Sequence, residues 1–323
     1  MSEAAARRGA SGFLVTLLAA ATYSTVGSTS KLAGIQGMGP IGYLEWRAIA
    51  AVLALGVMIA VGVRLGWVRL PPLDAVPARE RRALVLAGIA HMVITVAMIV
   101  AFSRMSIAVA MIVFYAAPAI VTILSFVLHG ERPSRTRVGS LALAFAGLLL
   151  VVAAPMAGAG AVAIDPLGLG LAAFAAVLQA VYMLVAARGY PSVPAIGAVF
   201  VLLAVAIPGN LVAALLFGAL PEVAAPVGDP SLLVWAILGG VLGAAIPTTS
   251  LQHGMRLLGA GRASILMMVE PFFAATYAFL FLGEVLGPVQ VLGGAMVIGA
   301  GMLLQVGDRG AATRPAAAAP AGG

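Results

Sequence analysis

The 323-residue chain has no cysteine, which removes disulfides, thiolate metal sites and a cysteine nucleophile at once. Charge is also scarce: Asp, Glu, Lys and Arg make up 9% of the residues, against roughly one quarter in a soluble domain. No His-x-x-Glu-His, no Gly-x-Ser-x-Gly and no aspartate pair occurs within an apolar run, and no phosphate-binding P-loop is present. These absences argue against an enzyme and against transport powered by ATP on this chain, and no cofactor or metal is expected. The net charge of +7 would point to nucleic acid in a soluble protein. Here the basic residues lie in short connections between apolar runs, which is a membrane-topology signal instead.

What fills the sequence is apolar: 63% of the residues. Ten runs approach the roughly twenty residues that span a bilayer, near 12–34, 41–63, 83–103, 107–129, 136–154, 166–187, 195–218, 231–252, 260–282 and 288–306. None shows the period-two alternation of a barrel strand, and lipid offers an exposed backbone no partners, so the expected fold is an all-α integral membrane protein. Residues 1–11 read as a basic cytoplasmic leader. Arg7-Arg8, a short apolar core and Ala19-Ala20-Ala21 also resemble a cleavable signal peptide. The apolar stretch continues past Ala21, and the expectation is a retained helix. Residues 307–323 are low in complexity and read as a disordered tail.

Basic residues orient the chain. With the N-terminus inside, Arg7, Arg8, Arg64, Arg69, Arg79, Arg81, Arg82, Arg132, Arg135, Arg137, Arg188, Arg256, Arg262, Arg309 and Arg314 are all cytoplasmic, leaving only Lys31, Arg47 and Arg104 elsewhere. The outer connections around Asp165, Glu222 and Asp229 carry no basic residue.

A repeat runs through the chain. Tyr115-Ala-Ala-Pro118 leads to Gly130-Glu131, and Val269-Glu270-Pro271 leads to Gly283-Glu284 at the same spacing. Gly139 and Gly147 then answer to Gly293 and Gly301 on the following helix. The chain therefore divides into two copies of one unit, 12–154 and 166–306, joined by an outer linker at 155–165. Five helices per unit is an odd number, so the second copy enters the membrane inverted, an arrangement characteristic of alternating-access transporters and found also in channels.

These paired Pro-to-Gly-Glu segments, the Gly-rich helices after them, Arg47 on the second run and the Glu270-Pro271 pair resemble the two EamA domains of the drug/metabolite transporter superfamily. The resemblance covers nearly the whole chain. It implies a ten-helix inner-membrane carrier with both termini cytoplasmic, usually exporting amino acids or other small metabolites. Arg47 stands where that family commonly has an Arg. The last helices are offered as homodimer contacts, although the sequence itself sets no oligomeric state. An importer, or a facilitator or channel for a sugar, amine or drug-like cation, is the competing reading.

Polar groups at membrane depth are costly and are therefore the site candidates. On the fourth run Tyr115, Pro118, Thr122, Ser125 and His129 recur at steps of three and four and share a face, expected to line the interior. Tyr23, His91, Gln179 and Tyr182 join Tyr115 as substrate-binding candidates, since large side chains with polar tips need room and a partner, and Arg47 fits either a binding role or a structural strut. Ser24, Thr25 and Ser28 read as helix-packing residues, and His253 as interfacial. Pro118 and Pro271 each delete a backbone donor, which fits either a gating hinge or a static bend. Glu270, next to Pro271, fits either reversible protonation, with a proton as coupling ion, or bonding to freed backbone groups. Glu45 is expected to point away from Arg47, near enough to the outer surface to be hydrated. Glu131 and Glu284 read as structural helix caps. Met92, Met98, Met111, Met183, Met267 and Met268 fit an adaptable apolar cavity, with core filling the reading for most of them.

Overall fold

Among the residues that the computed structural model describes (3–72, 74–105, 107–130, 133–153, 165–282 and 287–312) the chain is helical throughout, with no strand. Lipid-bound backbone must be satisfied within its own segment, and the α-helix does this. Glu131, Glu284, nearly all of the expected linker and the end of the tail lie outside the described residues.

The first run forms α1 (Glu3–Tyr23) and α2 (Thr25–Ile35), so helix begins inside the expected leader. The two part at Ser24, whose Oγ lies 2.6 Å from the Ala20 carbonyl oxygen and 2.7 Å from that of Glu270. A hydroxyl bonded four residues back bends a helix, and here it also ties one helix to another. Next come α3 (Pro40–Arg64), with proline in its first turn, and α4 (Ala78–Arg104). The fourth run is again split, into α5 (Ile107–Phe114) and α6 (Ala117–His129). Gly130 closes α6 at φ +67°, a left-handed turn that glycine adopts without cost. The first half ends with α7 (Arg135–Ala153).

The second half holds α8 (Pro166–Arg188), α9 (Ala195–Leu216) and a short α10 (Leu220–Gly228). A π-helical turn, Val241–Ala245, joins α11 (Leu233–Gly240) to α12 (Ile246–Leu258). The chain continues with α13 (Ala260–Met267), α14 (Glu270–Leu282) and α15 (Pro288–Ala312). Nine segments of the described residues are long and apolar enough to cross a membrane. The apolar part of α15, Pro288–Leu304, is shorter, so the tenth expected run does not reach that length, while its helix continues past 306 to Ala312.

The 153-residue register of the repeat reappears in the backbone. α5 and α13 each have 8 residues, α6 and α14 each have 13, and all four begin and end at equivalent positions. Both breaks fall three residues before a proline. The absent N–H of Pro118 or Pro271 would have met the carbonyl of Phe114 or Met267, where the shorter helix stops.

Packing follows the same exchange. α1 lies along α12 and α4 along α8; swapping the halves turns the first pairing into the second. α3 meets α9, its own counterpart, and α7 meets α15. In the α7–α15 seam the backbones touch at Gly147 and Gly293: a Cβ on Gly147 would sit 2.5 Å from the Gly293 carbonyl oxygen, and one on Gly293 2.6 Å from that of Gly147. Gly139 and Gly299, on the same two helices, face open space.

On the side expected to be outer, α10 lies in no run read from the sequence. Its Glu222 carboxylate accepts from the Ile41 N–H (3.0 Å) and the Gly42 N–H (3.3 Å), capping α3. Arg104 reaches Asp165 at 3.8 Å, which gives one of the few basic residues off the expected cytoplasmic side an anionic partner in the other half.

Candidate functional site

A cavity of about 300 Å³ opens where the breaks of the two halves approach each other and α1. The six residues read as substrate-binding from the sequence, Tyr23, Arg47, His91, Tyr115, Gln179 and Tyr182, all line it, together with Glu270 and Pro118. Pro271 does not line it. Thr122 and Ser125 are buried yet lie off the cavity, and the Thr122 hydroxyl is spent on the Pro118 carbonyl at 2.9 Å. Of the shared face of the fourth run, Tyr115 and Pro118 thus line the cavity, while Thr122 and Ser125 are buried elsewhere in the interior. The His129 side chain lies outside the described residues.

Arg47 comes from α3. Its Nη1 donates to the Gly243 carbonyl at 3.1 Å. That carbonyl lies four residues before Pro247, which has no N–H to offer it, so the π-helical turn and the guanidinium answer one another. Nε of Arg47 is buried with no hydrogen-bond partner among the described residues. Tyr23 ends α1 and shares a 2.6 Å hydrogen bond with Thr248 on α12. It lies within electrostatic reach of both Arg47 and Glu270.

Glu270 opens α14 beside the Tyr115 hydroxyl, so one residue from each helix break meets across the site. The His91 and Tyr182 rings meet tilted, at 6.0 Å between centroids and 47° between planes. The His91 carbonyl accepts from the Thr95 hydroxyl at 2.9 Å. The remaining wall is mostly apolar and includes Met98, Met111, Met183 and Met267. Four of the six methionines read mainly as core filling therefore face the cavity, where a flexible, polarisable side chain adapts to what enters.

Other expectations are revised. Glu45 points away from Arg47 as expected, but it is 3% exposed, not hydrated: α9 covers it and Asn210 is its hydrogen-bonding neighbour. Ser24 joins helices, in keeping with a packing role. His253 is exposed, whereas its neighbour Gln252 is fully buried and holds α12 to the end of α8, donating to the Ala186 carbonyl and accepting from Tyr190 at 3.3 Å. Burial pushes the Tyr190 pKa up to about 12, keeping it a neutral donor. Arg256 Nη1 donates to the Val193 carbonyl at 2.7 Å in the same cluster, and Glu80 accepts from the Ser192 hydroxyl at 2.6 Å. Nothing in the spacing of these residues signals this network, because it joins segments far apart in sequence. Among the described residues no group of three or more His, Asp or Glu side chains could hold a metal ion.

Curated relatives include the threonine/homoserine exporter RhtA from two strains of Salmonella typhimurium, 34% identical over 135 residues. The match spans 40% of this chain and 42% of the relative, less than half the length of either. A solved crystal structure of a protein superposes over 94% of this chain and 99% of its own with a TM-score of 0.71 at 18% identity, a likeness of fold. The sequence profile of the EamA-like transporter family matches residues 10–153 and again residues 166–305. With two copies of that profile covering most of its length, the chain belongs to the EamA-like transporter family.

Proposed function

We propose that this chain is a secondary transporter that exports small zwitterionic metabolites of the amino-acid type across the inner membrane by alternating access. In this reading α15 completes a set of ten membrane helices, the two five-helix halves are inverted, and both termini are cytoplasmic. The observation that carries the proposal is a single cavity lined by one guanidinium, Arg47, and one carboxyl, Glu270, among apolar and aromatic walls. An amino acid carries the complementary pair of charges. Its carboxylate suits Arg47, whose Nε lacks a partner, and its ammonium suits Glu270. The cavity of about 300 Å³ matches a small solute and falls at the lower end of the roughly 300–1,000 Å³ typical of ligand pockets. Partial similarity to an exporter of threonine and homoserine supports the same substrate class.

Coupling follows from the site. Glu270 holds either a proton or a substrate ammonium, so a proton entering from outside displaces the substrate, and a substrate entering from the cytoplasm displaces the proton. The helix breaks at Tyr115 and at Met268, equivalent in the two halves, are the hinges about which the halves rock, and Pro118 and Pro271 keep them from closing into continuous helix. Reconstituted protein is expected to show saturable amino-acid counterflow. Its export is expected to follow an imposed pH gradient in the wild type and to lose that dependence in Glu270→Gln. Unsaturable conductance would identify a channel, and an unchanged gradient dependence in Glu270→Gln would remove the coupling role.

A further inference from the structure

We propose that Glu45 and Asn210 form a proton-binding site outside the central cavity, in which a protonated Glu45 carboxyl pairs with the Asn210 amide across the seam between α3 and α9. Both side chains are almost fully covered, at 3% and 4% exposure. The Asn210 side chain lies within reach of the Glu45 carboxyl, across a seam in which α3 packs against α9. Two buried oxygens are nevertheless left over, Glu45 Oε2 and Asn210 Oδ1.

An ionised carboxylate only accepts, and so does an amide oxygen, so in that state neither of the two can serve the other. One proton on Oε2 converts it to a donor, and the unsatisfied amide oxygen is the acceptor beside it. Acid and amide then meet through two hydrogen bonds, and both orphan atoms disappear. Leaving two such atoms unpaired in an apolar seam costs the desolvation of each with nothing to offset it.

Among the described residues no cation is placed to hold a carboxylate there: Arg104, at the end of α4, reaches Asp165 at 3.8 Å. Arg47 is committed to Gly243 and the central cavity. On α10, Glu222 is itself an acid and is bonded to the Ile41 and Gly42 amides. Tyr43 is bonded to Thr29 of α2 at 2.7 Å, and Lys31 of α2 is exposed near the end of its helix. α9, α11 and the π-helical turn contribute no charged residue, and His91 of α4 faces the central cavity.

A bound metal cation is disfavoured by the ligand set. Hard cations take about six or more oxygens, while Glu45 and Asn210 together offer three. The void next to Asn210 is about 10 Å³, close to the roughly 10–15 Å³ that one water occupies. Leu44 and Ile99 line both this void and the central cavity, so a single layer of side chains separates the proposed site from the substrate site.

Infrared spectra of the full-length protein in lipid at neutral pH test the assignment. Subtracting Glu45→Gln from wild type is expected to reveal the carbonyl band of a protonated carboxyl, which shifts in D2O and moves in Asn210→Ser. Glu270→Gln should leave it in place, which separates this site from the transport site. Glu45→Gln preserves shape and hydrogen bonding as an amide–amide pair, and an unchanged elution volume verifies that it folds. Loss of carboxylate absorption alone in Glu45→Gln overturns the proposal. So does disappearance of the band when sodium chloride replaces choline chloride, an outcome that assigns the two oxygens to a cation.

Discussion

Arg47 makes one hydrogen bond to protein through Nη1 and leaves Nε unspent, although the desolvation of a guanidinium at membrane depth demands more than one acceptor. In the proposed function a substrate carboxylate supplies the remainder. Arg47→Lys retains the charge but loses the planar fork, and its apparent affinity for amino acids should fall about tenfold, the equivalent of about 1.4 kcal/mol. Arg47→Gln should abolish the thermal stabilisation that amino acids give the wild type in detergent. An amino-acid-dependent shift that survives Arg47→Gln would place the carboxylate elsewhere. The sequence made Arg47 a candidate through its charge within an apolar run. Its actual partner, the carbonyl freed by Pro247, lies almost two hundred positions away, so the structural and binding roles of one side chain became separable only in three dimensions.

At the level of elements, close approach and helix breaks make opposite demands on backbone. Gly147 and Gly293 let α7 and α15 touch, and Gly147→Ala should lower stability by about 1–3 kcal/mol, since backbone on the facing helix cannot yield as a flexible side chain would. Gly139→Ala, with nothing within reach of its Cβ, should be neutral or stabilising by up to about 1 kcal/mol, from helix propensity alone. Thermal unfolding of the pair in one detergent compares them. The breaks are tested by Pro118→Ala and Pro271→Ala, which return a donor to the Phe114 and Met267 carbonyls. Transport rate should drop several-fold with little change in KM, whereas equal effects on both parameters would point to a binding role. The prolines were visible in the sequence, and so was their equivalence. So was the interior face that Thr122 and Ser125 share, and both are buried; that the cavity takes in Tyr115 and Pro118 and leaves them out was not.

For the whole molecule, the arginine count assigns a side to every connection. The chain lacks cysteine, so single cysteines report topology without background. Trp67, 80% exposed between α3 and α4, and Val227, 79% exposed at the end of α10, lie on opposite sides in the proposed orientation. A membrane-impermeant maleimide should label Val227→Cys in intact cells and Trp67→Cys only in inside-out vesicles. The cluster of Tyr190, Gln252, Arg256 and the Ala186 and Val193 carbonyls ties α12 to the segment after α8 on the proposed cytoplasmic side, and in the proposed function it is expected to part when the site opens inward. Gln252→Ala should therefore increase access of that reagent to a cavity cysteine, Gln179→Cys, in inside-out vesicles.

The sequence by itself determined the apolar helical runs, the twofold repeat and the polar residues that needed partners, because each is a local property: run length, spacing, and the cost of placing a charge in hydrocarbon. Only the tertiary structure decided which of those partners meet. Glu45 and Arg47, two residues apart, serve separate seams because a helix turns them in different directions, and Tyr115 reaches Glu270, 155 positions on, because two equivalent breaks face one another. Burial and pairing depend on what lies across a helix from each side chain, and in a bundle that neighbour comes from elsewhere in the chain.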